Sequence, residues 1–330
     1  MPPLSAVSLG AGILLLGAAY WFGGTRRAAA AVCLALGLAA VLYPFLPRRP
    51  EPSPGATHFQ VEILNRLQVE QLAGQVVAAD MARDPRRLSR HDASIYSQAG
   101  EDGILAEIFR RISVNTRYFV EFGSGDGSEN NTVLLLQAGW SGLWMDAVPA
   151  FTKSAAERYA EPVSAGRLAV RHAFVTAENI EELLRDAGAP ASFDLLSIDI
   201  DRNDYWVWKA ITNWTPRVVS IEYNAVFPPG IAWVVNYEPS SYWDGSSHFG
   251  ASLTALERLG REKGYLLVGC NLMGTNAFFV RQDLARDLFA PPFTAENHYQ
   301  PARYHMVWYK SGHPRKVGPP GLLELPGNSR

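Results

Sequence analysis

YFVEFGSGDGSENNT, residues 118–132, is the stretch on which the reading of this chain turns. An apolar run (118–122) with the pattern of a buried strand carries one acid, Glu121, and runs at once into Gly123, Gly125 and Gly127. Glycine is needed where a backbone takes positive φ or must approach a ligand without a Cβ. Between a strand and a helix, such a loop offers bare amides to a bound molecule. In open α/β sheets that place lies outside the carboxyl ends of the strands. The competing reading is an ordinary strand-end turn with solvent-facing acids.

Working outward, strands and helices alternate. Residues 98–112 read as a helix, 131–138 as a short one, 142–146 (GLWMD) as a strand and 151–159 as a helix. A third strand is expected over 168–175, helical composition over 178–186, a strong strand at 193–200 (FDLLSIDI), a helix at 205–211 and a strand at 217–224. Such alternation predicts a parallel sheet covered on both faces. The end differs: a helix over 251–264, then YLLVGCN (265–271) and AFFVR (277–281) around a glycine-containing turn, an antiparallel hairpin. The predicted fold class is α/β, a mostly parallel Rossmann-like sheet of the methyltransferase type ending in that hairpin. Dinucleotide dehydrogenases usually build their second half from further parallel units.

The ligand follows from the loop. A dinucleotide fingerprint needs G-x-G-x-x-G/A; counted from Gly123, the third small position is Ser128. No Gly-Lys-Ser/Thr ending of a P-loop follows. Glu121 suits S-adenosylmethionine, which carries a cationic amino group and a sulfonium, and is awkward for a pyrophosphate. Asp146 ends the next strand, where a carboxylate can accept hydrogen bonds from ribose hydroxyls. The expected cofactor contacts are Glu121, Gly123, Ser124, Gly125, Asp146 and Asp199.

YSQAGEDGIL (96–105), FVEFGSGDG (119–127), GLWMD (142–146), LLSIDIDRNDYWVWKAI (195–211) and VVSIEYN (218–224) together resemble the FkbM-type S-adenosylmethionine-dependent methyltransferases, over roughly 91–285. The resemblance implies a seven-stranded methyltransferase fold and, usually, O-methylation, with Glu121–Gly127 and Asp146 at the cofactor and Asp199 beside the methyl group. Where the family usually carries Val-Glu-Gly, this chain has Ile200–Asp201–Arg202.

IDIDRND places Asp199, Asp201, Asn203 and Asp204 at a strand end. Asp199 and Asp201 share one face of an extended strand and could hold a hard divalent ion, which Glu222 and His248 could complete. A polar wall with Asp199 as base or cofactor contact is the reading preferred, and no metal ligand set is assigned. Asn203 or Asp204 is a good N-cap for the next helix. Asp199, His248 and Glu222 are the candidate catalytic residues, since transfer to oxygen needs a proton removed. The aromatic-rich segment 227–250 lies where a substrate lid would, with Trp233, Tyr237, Tyr242 and Trp243 either stacking on an acceptor or packing; Trp206, Trp208 and Trp214 read as core.

The 330 residues carry a formal charge of -2, against a nucleic-acid partner. Two cysteines, Cys33 and Cys270, make no disulfide framework. Residues 4–22 and 28–46 are uncharged and mostly apolar, each about a bilayer long, around GGTRR (23–27). They predict a transmembrane helical hairpin over 1–46, against a signal peptide, which would begin with basic residues; no Lys or Arg precedes Arg26. A Pro-rich linker and an amphipathic helix fill 47–90, the methyltransferase domain 91–285 and a C-terminal tail 286–330. The helix is expected to pack on the domain or to serve as a membrane-surface or dimer-forming element. The chain thus reads as a membrane-anchored enzyme, its catalytic domain facing the cytoplasm, that methylates an oxygen of a sugar, lipid or secondary metabolite, the acceptor being a small molecule or lipid-linked. Its rivals are a non-catalytic, membrane-tethered module of the same fold and a nicotinamide oxidoreductase.

Overall fold

The computed structural model describes residues 54–285, 287–304 and 306. The two apolar runs, most of the linker and the end of the tail lie outside the described residues. Among the described residues no helix is long and apolar enough to cross a membrane. The chain divides into two compact units, Met1–Leu64 and Asn65–Arg330. Helix α1 runs from Pro54 to Arg83, so the last residues of the predicted linker are helical; proline is tolerated in a first turn, where its missing N–H has no intrahelical partner. Leu67 is 55% exposed and Leu72 is also exposed, so neither of these apolar side chains of α1 is a packing contact. Near the end of α1, within the second unit, Asp80 meets Arg87 at 3.4 Å and Gln300 at 3.3 Å.

The second unit continues with α2 (Glu101–Ile112), β1 (Tyr118–Phe122), α3 (Val133–Gln137), β2 (Ser141–Asp146), α4 (Pro149–Arg158), α5 (Ala160–Ser164) and β3 (Leu168–His172). Then come α6 (Ile180–Asp186), β4 (Leu195–Ile198), α7 (Asp204–Ala210), β5 (Val218–Glu222), α8 (Leu253–Glu262), β6 (Tyr265–Cys270), β7 (Asn276–Arg281), α9 (Gln282–Ala285) and α10 (Ala295–His298). The seven strands form one sheet of order β3-β2-β1-β4-β5-β7-β6. The first five are parallel, and β7 runs antiparallel between β5 and β6. This is the Rossmann-like methyltransferase sheet with its closing hairpin. Strand order reverses at β1 and β4, the switch point outside which ligands of open α/β sheets bind.

Alternation along the strands builds two cores. Val120, Phe122, Leu143, Met145, Leu196, Ile198, Val219, Ile221 and Phe279 face one side. Phe119, Trp144, Leu195, Val218, Phe278 and Val280 face the other. Buried on both faces, the parallel strands read as near-continuous apolar runs. Glu121 interrupts that pattern on the face of Phe119 and Trp144.

Residues 287–304 are packed rather than trailing. Phe289, Ala290, Ala295 and His298 are buried. The Tyr223 hydroxyl donates to Gln300 O at 2.6 Å, and Ala295 N donates to Glu257 Oε2 at 2.6 Å. Short apolar contacts spaced by prolines leave no periodicity for a sequence reading to find. Helix α8 is closed by Ser252, whose Oγ accepts from Ala255 N at 3.3 Å and from Trp233 N at 2.9 Å. Ser252→Ala should lower unfolding stability by about 1 kcal/mol, read in urea titrations.

Candidate functional site

A cavity of about 290 Å³ opens at the C-terminal edge of β1, β4 and β5. Gly123, Ser124 and Gly125 line one side, Asp199 and Glu222 another, and Glu101 and Asn276 a third. Three predicted loop contacts and two predicted catalytic acids thus meet in one place. The lining holds six acidic residues, Glu101, Glu121, Asp126, Glu129, Asp199 and Glu222, and no Lys, Arg or His.

The glycine loop is built by its own chain. Gly123 N and Ser124 N donate to Met145 O at 2.9 and 3.2 Å, and Gly125 N donates to Asp146 Oδ2 at 2.8 Å. These three amides, expected to face a ligand, are therefore spent on β2. Gly123 has φ +71, and a Cβ there would fall 1.6 Å from Asp199 O; Gly125 has φ +52 and open space where its Cβ would be. The open side of Gly125 is what the loop presents outward. The Ser124 hydroxyl is buried without a hydrogen-bond partner.

Asp146 braces this loop instead of lining the cavity. Its Oδ2 takes Gly125 N and its Oδ1 takes Val148 N, each at 2.8 Å. Glu121 is 3% exposed and also serves the chain. Its Oε1 accepts from Asn131 N at 2.8 Å, and its Oε2 from the Thr132 hydroxyl at 2.5 Å and Asn130 Nδ2 at 3.3 Å. The acid at the end of the apolar strand thus ties down the turn that leads into α3. Burial, which outweighs these donors, pushes its carboxyl up to about 7.

Asp199 follows β4. Burial first, and then the charges of Asp204 and Asp201, raise its carboxyl well above the usual carboxylate range. Glu222, at the end of β5, is raised in the same way, by burial and then by Asp199. Asp201 does not continue the strand: its φ is +65 and it is exposed, outside the lining of the cavity. The strand alternation expected for Asp199 and Asp201 fails because β4 ends at Ile198 and the chain turns. Asp204 swings inward instead; its Oδ1 accepts from Ile200 N at 2.8 Å. The N-cap of α7 is Asn203, and its side chain makes no capping bond.

His248 is not brought to the cavity. It is exposed on the segment after β5, edge-on to Trp233 with ring centroids 5.4 Å apart. Trp233 stacks on Phe227 at 4.5 Å, and the Tyr237 hydroxyl donates to Glu178 Oε2 at 2.5 Å; Tyr242 and Trp243 are exposed. None of these four aromatics lines the cavity. Of the three tryptophans read as core, Trp208 is buried and Trp206 and Trp214 are half-buried.

Glu101 was missed in the sequence. It is fully buried, and accepts from Ala99 N, Asn271 Nδ2 and Asn276 Nδ2 at 2.9 Å each. Acids in a first helical turn are common on electrostatic grounds, so Glu101 and Asp102 gave no signal of being interior. Asp204 was missed because a cap accounted for it.

No family model matches the chain, and no curated protein is similar to it. The FkbM-type likeness of its motifs therefore stays a resemblance. Among solved structures, an S-adenosylmethionine-dependent methyltransferase from Clostridium acetobutylicum ATCC 824 aligns at 12% identity over 53% of this chain and 90% of its own, with a TM-score of 0.32. The methyltransferase domain of bacterial CtHen1 aligns at 13% over 55% and 97%, TM-score 0.35. The mitomycin 7-O-methyltransferase MmcR aligns at 17% over 54% of this chain and about half of its own length, 53%, TM-score 0.30. Likenesses this thin assign no reaction.

Proposed function

We propose that the protein is an S-adenosylmethionine-dependent methyltransferase acting on a hydroxyl oxygen. The observation that carries this reading is the lining of the cavity: six acidic side chains and no cationic one line a pocket beside a glycine loop. Such a lining repels a pyrophosphate and attracts a cationic nucleoside. The open side of Gly125 and the unpartnered Ser124 hydroxyl fit a close-lying ligand. When bound, the sulfonium supplies the methyl group. Gly123 and Gly125 shape the loop, Asp146 holds it, and Glu121 adds negative charge as it ionises. Asp199 or Glu222, each on the cavity wall with a carboxyl that burial makes more basic, would in its ionised form take the proton from the acceptor hydroxyl. The two uncharged runs within residues 1–46 support reading the protein as membrane-anchored, with this domain on the cytoplasmic side. A lipid-linked or small hydroxylated acceptor suits that placement.

Calorimetry on the full chain tests the reading. S-adenosylmethionine should bind and NAD should not. Affinity should rise as the pH goes from 6 to 8, because Glu121 titrates near 7 and only its ionised form attracts a cation. Glu121→Gln should flatten that dependence. Absence of S-adenosylmethionine binding by folded protein would exclude the proposal.

A further inference from the structure

We propose that Asp199, Asp204 and Glu222 form a binding site for a hard divalent cation. One carboxylate oxygen from each lies within 4.8 Å of those of the other two. The three come from different elements. Asp199 follows β4, Asp204 opens α7, and Glu222 ends β5. The parallel register Ile198↔Ile221 sets Asp199 beside Glu222, and the turn through Asp201 brings Asp204 back to both.

The second observation concerns unmet valence. Asp204 is 0% exposed, and its Oδ2 has no hydrogen-bond partner; Glu222 Oε2 is buried and equally unpartnered. Buried carboxylate oxygens are otherwise paired with donors or cations. Asp194 takes Arg217 and three backbone amides, and Glu107 takes Arg110 and Arg111; Asp102 Oδ1 is also unpartnered, but its Oδ2 takes the amides of Ile95, Tyr96 and Ser97. No salt bridge among the described residues reaches the trio. The other titratable groups facing it are the acids Asp201, Glu101 and Glu121 and the phenol of Tyr304. A dication answers three clustered carboxyl groups to which no salt bridge among the described residues brings a cation.

An all-oxygen donor set selects a hard ion and not a thiolate- or imidazole-seeking one. Calcium ligands lie at 2.3–2.6 Å, so oxygens on opposite sides of the ion are about 4.6–5.2 Å apart. The trio therefore needs little movement to close on such an ion. Asp199 and Glu222 also line the cavity, so the remaining coordination positions face it.

Manganese is the probe. Metal-stripped full-length protein is titrated with Mn²⁺, and the loss of the free-ion resonance signal is followed. One ion per chain is expected. Asp204→Asn and Glu222→Gln should each weaken binding at least ten-fold. Asp186→Asn, exposed at the end of α6, should leave it unchanged. Asn keeps an acceptor for Ile200 N, and circular dichroism reports whether either variant has unfolded. If one has, the other carries the comparison. If both have, calorimetry of Mn²⁺ binding to the unaltered chain at pH 6, in two buffers of different ionisation enthalpy, should show proton release. No ion bound, binding unaltered in both folded variants, or binding without proton release would overturn the site and leave protons as what the trio shares. Metal binding does not rest on the methyl-transfer reading, and S-adenosylmethionine binding to the same sample is scored separately.

Discussion

Gly123→Ala should prevent folding or cost more than about 3 kcal/mol, while Gly125→Ala should cost about 1 kcal/mol. Both glycines have positive φ, +71 and +52, so both substitutions place an L side chain in the left-handed region. That shared penalty is about 1 kcal/mol or a little more. The difference is steric. A Cβ on Gly123 would sit 1.6 Å from the Asp199 carbonyl oxygen, whereas a Cβ on Gly125 meets nothing within 4 Å. Asp199 O cannot retreat cheaply. Its residue follows β4, which pairs with β1 through Phe122↔Ile198, and Asp199 N donates to Phe122 O at 3.3 Å. Relieving the clash means parting two central strands. Gly125→Ala should instead keep the fold and weaken nucleoside binding, because its methyl occupies the open side of the loop. Urea unfolding of both variants, with calorimetry of the second, measures this. Equal stability losses would show that Gly123 is not held against Asp199.

Ligand-free protein should lose stability as the pH rises from about 4 to 8, by at least about 3 kcal/mol. Glu121 titrates near 4.5 unfolded and near 7 folded; Asp204 goes from 3.8 to about 6. Burial is the leading cause in both. An acid raised by folding binds its proton more tightly in the native state. Between the two values the folded chain therefore holds more protons, and raising the pH favours unfolding. The penalty is absent below the unfolded value and complete above the folded one. Asp199 and Glu222 act with the same sign. Glu107 acts the other way: hydrogen bonds from Arg110, and then from Arg111, hold it near 2, so its contribution is present above its unfolded value of 4.5 and lost as the pH falls toward 2. Stability should accordingly peak in mildly acid solution. Midpoints of urea unfolding at pH 5, 6, 7 and 8 give the profile, and Glu121→Gln should reduce its slope. A profile that is flat or rises to pH 8 would mean these carboxyls are ionised in the fold without penalty.

Local pattern carried far in this chain. The order of strands and helices, the closing hairpin and the place of the glycine loop were all readable, because apolar periodicity and glycine placement report on near neighbours along the chain. The ends of elements shifted by a few residues. The Asp199–Asp201 pairing failed because it assumed the strand continued beyond Ile198.

The residues 118–132 by themselves announced a parallel α/β sheet with a ligand edge, and the terminal hairpin chose its methyltransferase form. They could not rank three glycines that look alike in print; only the approach of the Asp199 carbonyl does that. Nor could they show that Glu121 and Asp146 spend their oxygens on the chain, or that Asp204 turns in to meet Asp199 and Glu222. The reason is physical. Apolar burial is sensed residue by residue, but the partner of a buried polar atom depends on strand register and on turns that join positions far apart in sequence, such as Glu101 with Asn271 and Asn276.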